Sequence, residues 1–217
     1  MKTRRKQKTP RHTRPKSGQP RIVAQAALPT RHGKFTILGI EGNGPKETLV
    51  VLRHGPAKLD RGGRGTPLVR IHSQCLTGDV LASERCDCRA QLEMSLKKIA
   101  AAPSGLLLYV PQEGRGIGLI NKLRAYELQD GGMDTVEANE KLGFAADSRD
   151  YRFSAQVLRL LGAKSVRLLS NSPDKVQQLE ANGIRVVERV PCRPRSSKAS
   201  RAYLATKRDK LGHFLQP

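Results

Sequence analysis

The sequence has no run of about 18 apolar residues, so it predicts no membrane-spanning helix. Its basic amino terminus also lacks the apolar core of a secretory signal peptide, because Ile22–Ala24 is followed at once by Gln25. Cysteine is scarce: there are four, and three of them fall between residues 75 and 88. Such a cluster fits a metal site in a reducing compartment better than a disulfide framework, so we expect a cytoplasmic protein.

Acidic residues are also few, 19 against 40 Lys and Arg, which gives a net charge of +21. Residues 1–40 contain no acidic residue at all. Positive charge attracts polyanions, and a nucleoside triphosphate and a nucleic acid both qualify. Residues 1–20 are rich in Lys, Arg, Pro and Gln, which predicts a disordered basic tail. We expect this tail to be a solubilising segment, with a nucleic-acid-binding arm or a targeting peptide as weaker alternatives.

Residues 21–217 show the alternating patterns of a single α/β domain, with a mixed sheet and flanking helices. Strands are predicted at Arg21–Leu28, Lys34–Gly39, Glu47–Arg53, Leu68–His72, Leu106–Val110, Ser165–Leu169 and Ile184–Val187. Pro29 is expected to end the first strand. Helices are predicted at Gln91–Ala102, after Gly118, through Val157 and from Pro173. The helix after Gly118 should pack through Leu119, Ile120, Leu123 and Tyr126, and Lys122 and Arg124 taken alone could equally be a solvated face.

The clustered cysteines are Cys75, Cys86 and Cys88. Thiolates are soft ligands that suit zinc, and three protein ligands leave a fourth position for water, as in catalytic zinc sites. His72 precedes Cys75 by three residues and is a candidate fourth ligand, which would make the site closed and structural. The alternative is that small buried cysteines cluster without binding a metal. The charged residues between the cysteines argue against that alternative.

A glycine-rich turn, Gln112–Gly118, follows the strand Leu106–Val110 and precedes a helix. Free backbone N–H groups and the helix dipole make such a helix start suitable for anions. Arg115 could add a forked contact to phosphate. The Gly-x-Gly-x-Gly pattern is neither the dinucleotide fingerprint nor a Walker loop, so the glycines alone are a weak signal.

Several segments together resemble GTP cyclohydrolase II: His72–Asp79 with Arg85–Cys88, Gln112–Gly118 with Asn121–Tyr126, Asp147–Tyr151, and Ser170–Lys175. The resemblance extends over about residues 22–217, including Tyr203–Lys207 and Lys210–His213. It implies a zinc enzyme that opens the guanine imidazole ring of GTP and releases formate and pyrophosphate. The implied product is a diaminopyrimidinone ribosyl phosphate for riboflavin synthesis. Mg²⁺ on the triphosphate and a homodimer are also implied.

The resemblance assigns zinc to Cys75, Cys86 and Cys88 and makes Tyr126 a hydrogen-bond partner of the reacting base. Asp147 matches the family's general base and Arg149 its proposed nucleophile toward phosphorus. Because a guanidinium stays protonated at neutral pH, stabilisation of charge in the transition state is an equally good role for Arg149. By local pattern alone, Asp147 or Ser148 would cap the next helix. The implied substrate contacts are Arg70, His72, Ser73, Gln74, Gln91, Glu113, Gly114, Arg115, Thr135, Ser170 and Lys175.

The sequence departs from the family pattern at Gln74, Arg89, Pro111, Ser170, Ser172 and Asp174. The departures at Gln74, Pro111 and Ser170 motivate a second hypothesis, a paralogue that acts on another nucleotide or stops at the formamide intermediate. A third hypothesis, motivated by the charge of +21, is a zinc-containing nucleic-acid-binding protein without catalysis. It predicts a closed zinc site that includes His72.

Overall fold

The computed structural model describes residues 19–44, 47–56, 59, 66–194 and 201–214, with the backbone alone at residues 201–203 and 207. The predicted disordered tail, residues 1–20, lies outside these ranges except for Gln19 and Pro20.

One mixed seven-stranded sheet forms the centre of the domain, in the order β1-β2-β3-β5-β4-β6-β7. The strands are β1 (Arg21–Thr30), β2 (Gly33–Glu41), β3 (Thr48–His54), β4 (Leu68–Ser73), β5 (Gly105–Val110), β6 (Ser165–Leu169) and β7 (Arg185–Val190). β1, β2, β3 and β5 pair antiparallel, whereas β5, β4, β6 and β7 pair parallel. The prediction of a single α/β domain with a mixed sheet is therefore confirmed.

The helices are α1 (Cys88–Ala101), α2 (Leu119–Asp130), α3 (Thr135–Lys141), α4 (Arg152–Leu160), α5 (Pro173–Ala181) and α6 (Arg201–Leu211). Two short turns, Leu76–Val80 and Glu113–Gly116, follow β4 and β5. In the described ranges, no helix has both the length and the apolar character needed to cross a membrane.

The core lies on both faces of the sheet, as the central strand β5 illustrates. Leu106 and Leu108 pack with α4 residues in one buried cluster, while Leu107 between them packs with Ile99 of α1 in another. A strand that is buried on both faces has a continuous apolar sequence, which is what β5 shows. The parallel strands β5, β4 and β6 end at the same edge of the sheet. Their following loops therefore meet there, where open α/β sheets tend to bind ligands.

Pro29 does not end the first strand. β1 continues to Thr30, and Pro29 pairs with Lys34 of β2. β1 is an edge strand, so a residue without an N–H group can stay in it when that position faces away from its partner.

The predicted inner face of α2 is wrong. Ile120 is 63% exposed and Leu123 43%, whereas Lys122 and Ala125 are buried. The reason is that α2 packs against the polar turns after β4 and β5, where acceptors satisfy the Lys122 ammonium. Arg124, on the other side of the helix, is exposed.

The helix that contains Val157 is not capped by Asp147 or Ser148. It begins at Arg152, with Tyr151 at its N-cap position. Asp147 and Ser148 lie in the irregular segment before it. The local pattern alone predicted that one of them caps the helix, and this prediction is wrong.

Candidate active site

The three clustered cysteines meet at the sheet edge. Cys75 follows β4, Cys86 lies two residues before α1, and Cys88 is the first residue of α1. Their sulfurs are all within 4.8 Å of one another, and the Cys75 and Cys86 sulfurs are 3.7 Å apart. Tetrahedral zinc with Zn–S bonds of about 2.3 Å would separate two sulfurs by roughly 3.8 Å. Cys75 and Cys86 are therefore at the separation that zinc would require, and the Cys88 sulfur lies close enough to join them as a third ligand.

Gly78, which the sequence analysis missed, leaves the space between the sulfurs open. A Cβ atom at residue 78 would lie 2.9 Å from the Cys86 sulfur and 3.2 Å from both the Cys75 sulfur and the Cys88 Cβ. With the three cysteine side chains in this arrangement, only a residue without a side chain fits the turn against them. Gly78 therefore leaves beside the sulfurs a space that a side chain would fill.

His72 is not a fourth ligand, so the closed site is a wrong prediction. Among the described residues, the metal-ligating cluster contains the three cysteines alone. The His72 Nε2 atom lies 3.0 and 3.1 Å from the two Asp79 carboxylate oxygens. Asp79 also accepts from the Cys75 N–H and the Tyr109 hydroxyl, so this buried group holds the cysteine turn. Burial lowers the pKa of His72, although the hydrogen bond to Asp79 opposes the effect.

The sulfurs also influence each other's ionisation. Hydrogen bonds from the Cys86 and Cys88 thiols hold the pKa of Cys75 far below its ordinary value. The same contact with Cys75 raises the pKa of Cys86 to about 11. The close approach of the sulfurs therefore favours a thiolate at Cys75.

A buried ion pair between Lys122 and Glu113 contacts Cys75. The Lys122 ammonium lies 2.6 Å from a Glu113 carboxylate oxygen, and the other Glu113 oxygen accepts from the Leu76 N–H at 2.6 Å. Burial alone would lower the pKa of Lys122, but Glu113 and the Cys75 sulfur raise it above its ordinary value. Glu113, expected as a substrate contact, is thus engaged by Lys122 and by the cysteine turn.

Tyr126 lies one turn of α2 beyond Lys122. Its hydroxyl is 3.2 Å from the Thr77 hydroxyl, and the Arg85 guanidinium lies over its ring at 4.8 Å. Burial raises the pKa of Tyr126, so the phenol is neutral near pH 7. A neutral phenol can donate a hydrogen bond to a ligand.

The glycine-rich turn holds Arg115 in an uncommon conformation. Gly114 and Arg115 both have φ near +61°, which is costly for a residue with a side chain. The Arg115 carbonyl accepts from the Ser148 N–H at 3.0 Å, and a Cβ on Gly116 would lie 2.9 Å from the Ser148 carbonyl oxygen. The turn is therefore pressed against the segment that carries Asp147.

Asp147 and Arg149 form an ion pair. The Arg149 Nε atom lies 2.8 Å from one carboxylate oxygen, and the other oxygen accepts from the guanidinium as well. Burial would raise the pKa of Asp147, but the hydrogen bonds and charge of Arg149 outweigh it, so the pKa is lowered. The carboxylate is therefore ionised near neutrality.

Two adjoining cavities collect the predicted residues. The first is lined by Gln74, Cys75, Cys86, Glu113, Gly114, Tyr126 and Thr135, among others. The second is lined by Arg70, His72, Gln91, Ser170 and Lys175, among others. Ser73, Cys88, Arg115 and Arg149 line both. Every predicted site residue except Asp147 thus lines a cavity. Asp147 forms an ion pair with Arg149, which lines both cavities.

The second cavity is strongly cationic. Arg70 donates to the Leu169 carbonyl and to Gln91, which in turn donates to Asp87. Lys175 is fully buried and donates to the Ile71 carbonyl at 2.8 Å. Burial, followed by the charges of Arg70 and Arg149, lowers the pKa of Lys175 well below its ordinary value. Such a cavity would be stabilised by an anion.

The end of α6 borders the second cavity through Leu211 and His213, which the sequence analysis did not select. Lys210 pairs with Asp134 and with Glu137 at the start of α3. The Phe214 N–H donates to the Asn171 carbonyl at 3.0 Å. The resemblance of Lys210–His213 to the family tail was the signal available for this contact.

Comparisons of this chain with known protein sequences point to one family. The sequence profile of the family described as GTP cyclohydrolase II matches residues 20–191. The chain is 53% identical over 195 residues to GTP cyclohydrolase-2 of Pseudomonas putida (strain W619), covering 89% of this chain and 93% of that one. It is 52% identical to GTP cyclohydrolase-2 of Tolumonas auensis (89% and 96% covered) and 49% identical to that of Buchnera aphidicola (89% and 98% covered).

A solved structure of RibBX, a two-domain 3,4-dihydroxy-2-butanone 4-phosphate synthase from A. baumannii, is 20% identical to this chain. The match has a TM-score of 0.39 and covers 70% of this chain and 34% of that one. A likeness of this size carries no argument about fold or activity.

Proposed function

Because this chain belongs to the GTP cyclohydrolase II family, we propose that it opens the guanine imidazole ring of GTP, with release of formate and pyrophosphate. The product would be a diaminopyrimidinone ribosyl phosphate for riboflavin synthesis. One observation carries the proposal: a cluster of three cysteines lines a cavity that adjoins a cationic one. Residues 21–217 would form the catalytic domain and residues 1–20 a tail.

Cys75, Cys86 and Cys88 would hold the zinc. When bound, zinc supplies an activated water near neutral pH, which is the nucleophile that ring opening needs. Gly78 keeps the space beside the sulfurs free of side-chain atoms. His72 and Asp79 hold the turn in place without occupying a ligand position.

The two cavities suit the two ends of GTP. The purine would lie in the first cavity, beside the cysteines and within reach of the Tyr126 hydroxyl. The phosphates, with Mg²⁺, would lie in the second, near Arg70 and Lys175. The buried Nε atom of Arg70 and the Nδ1 atom of His72 make no hydrogen bond within the described part of the chain, which supports a ligand there.

Arg115 and Arg149 line both cavities, so they would contact the nucleotide where base and phosphates meet. In the free protein, Arg149 is held by Asp147. A phosphate that attracts the guanidinium would weaken this pair, and the pKa of Asp147 would then rise toward the range of a useful base. Asp147 would thus become able to take a proton only when substrate is bound.

The paralogue hypothesis depends on where the departures lie. Gln74 lines the first cavity and Ser170 the second, where its hydroxyl accepts from the Ser172 N–H. Arg89 and Asp174 instead bond to neighbours on their own helices. Ser172 also lines the second cavity. Gln74, Ser170 and Ser172 are therefore the departures that could alter the choice of nucleotide.

Three further properties are proposals with narrower support. We place the protein in the cytoplasm because all four cysteines are free. We propose a homodimer, because Ile120 and Leu123 leave an exposed apolar face on α2. Nucleic-acid binding by the basic tail is not favoured, since the cationic groups described above line cavities and so suit a small anionic ligand. Light scattering would test the dimer.

The deciding experiment incubates zinc-loaded protein with GTP and Mg²⁺ and quantifies formate and pyrophosphate together. Equal release of both supports the proposal. Pyrophosphate without formate would contradict ring opening, and neither product from a zinc-loaded chain would contradict GTP as the substrate. Cys86→Ser should lose zinc and formate release together. Cys192→Ser is the matched control, because Cys192 is a buried thiol that lines neither cavity.

A further inference from the structure

We propose that Lys122 is a positioning residue of the cysteine cluster, whose ammonium donates to the Cys75 sulfur and offsets the negative charge of the metal-bound cluster. This inference rests on the proposed zinc site. It concerns a residue of α2 that is no metal ligand and that the sequence pattern left undecided between the site and a solvated surface.

The contacts of Lys122 match the donors of an ammonium group. Its Nζ atom lies 3.2 Å from the Cys75 sulfur, 2.9 Å from the Thr77 hydroxyl and 2.6 Å from the Glu113 carboxylate. An ammonium has three N–H donors, so each can meet one acceptor. Because the side chain is also buried, the ammonium is fixed in direction.

Charge explains why a cation belongs at this place. Three thiolates around a divalent ion carry a net charge of −1, and Glu113 adds a second negative charge nearby. Buried charges are costly unless they are paired. Lys122 is the ammonium that contacts both Cys75 and Glu113, so it compensates the cluster directly.

The hydrogen bond from Lys122 should also reduce the electron donation from the Cys75 sulfur to the metal. A hydrogen bond to a thiolate withdraws electron density from it, and groups outside the ligand set tune metal sites in this way. Three thiolates donate strongly, which makes a bound metal less electrophilic. A cation on one of them therefore favours the water activation that the proposed function needs.

Lys122 further connects the cluster to the substrate side of the cavity. Thr77, which accepts from Lys122, lies 3.2 Å from the Tyr126 hydroxyl. Cys75, Thr77 and Tyr126 are thus joined by hydrogen bonds around one ammonium. Loss of Lys122 would free the Thr77 hydroxyl to turn and would loosen the position of Tyr126.

The test replaces Lys122 with methionine, which keeps the length of the side chain and removes its charge. We expect Lys122→Met to bind zinc about 10- to 100-fold more weakly than wild type in chelator competition. With Co²⁺ in the site, the sulfur-to-metal charge-transfer band should move to lower energy, because the thiolate loses a hydrogen bond. Lys97→Met, the same change at an exposed position of α1, should alter neither property.

Two more variants separate an effect on Cys75 from a loss of folding. Glu113→Gln removes the ion pair but leaves the ammonium beside the sulfur, so its Co²⁺ band should stay close to that of wild type. Lys122→Met with Glu113→Gln leaves no unpaired buried carboxylate and should fold, with the band still shifted.

The outcomes distinguish this inference from the proposed function. If wild type binds zinc and both variants that lack Lys122 keep its affinity and its Co²⁺ band, the inference is overturned and the zinc site stands. If Glu113→Gln shifts the band as much as Lys122→Met, the effect runs through the ion pair and the inference is also overturned. A wild-type chain that binds no metal overturns the proposed function and this inference with it.

Discussion

Replacing Gly78 with alanine should weaken zinc binding while leaving the metal-free fold intact. The backbone at Gly78 does not have a positive φ, so alanine meets no conformational barrier there. The added Cβ would, however, lie 2.9 Å from the Cys86 sulfur. The cost therefore falls on the cysteine cluster and not on the turn itself.

The size of the effect follows from the geometry. Ordinary contacts lie at about 3.5–4.0 Å, so the Cys86 sulfur must retreat by roughly 0.6 Å or more. Without metal, its side chain can rotate away. With zinc, the ligand distances tolerate only about 0.2 Å. Overpacking of this kind costs about 1–3 kcal/mol, which corresponds to roughly 5- to 150-fold weaker zinc binding.

Competition with a chromophoric chelator measures this affinity, and thermal unfolding of the metal-free chains checks the fold. Gly44→Ala is the matched control, because its Cβ would meet Glu47 at an ordinary distance of 3.6 Å. We expect Gly44→Ala to behave as wild type in both assays. A Gly78→Ala chain that holds zinc as tightly as wild type would refute the argument from the gap between the sulfurs.

Three further predictions concern single residues around the cavities. Arg149→Met should lower kcat by about 100-fold or more, and Arg149→Lys should lower it by less, because lysine keeps the positive charge and loses only the two-pronged hydrogen bonding of the guanidinium. Equal losses of kcat in steady-state kinetics would exclude a role through charge. Since burial lowers the pKa of His72, the unfolded chain alone takes up its proton as the pH falls below about 6.5. The free energy of unfolding should then drop by at most about 1.4 kcal/mol per pH unit, and urea titrations should show a shallower drop for His72→Gln. Lys210→Ala should raise the KM for GTP, because the ion pair of Lys210 with Glu137 of α3 holds the end of α6, and with it His213, at the second cavity. An unchanged KM would count against α6 as a wall of the site.

The cysteine cluster could be predicted from the sequence because its chemistry and its spacing are both restrictive. Few residue types bind zinc, and Cys86 and Cys88 lie only a short loop after Cys75, so a compact chain brings them together easily. The strands were predictable for a similar reason, since apolar runs such as Leu106–Val110 are bounded by glycine and proline. Both signals are local in the chain.

The burial of Lys122 could not be predicted in this way. Apolar spacing on α2 favours Ile120 and Leu123 as the inner face, yet these two residues are exposed. What decides the outcome is a set of acceptors distant in sequence, the Thr77 hydroxyl and the Cys75 sulfur, 45 and 47 residues away. Tertiary contacts of this kind override a local pattern.

His72 shows how a plausible ligand spacing can mislead. The register of the sheet pairs His72 with Tyr109 of β5, and the two rings stack with centroids 5.6 Å apart. Asp79, seven residues further on, then meets the imidazole from the cysteine turn. The sequence spacing brings His72 near the cluster, but the pairing of β4 with β5 fixes the direction of the His72 side chain. That pairing depends on a strand more than thirty residues later in the chain.

Asp147 shows where chemistry and geometry have to be weighed together. Its family resemblance marks it as a base, yet the structure gives it a lowered pKa and a guanidinium partner. A carboxylate held in this way is a poor base in the free protein. The two observations agree only if the partner is drawn away when the nucleotide binds, and Arg149 lines both cavities, where a phosphate would compete for it. The ion pair would then prevent Asp147 from acting before substrate is in place.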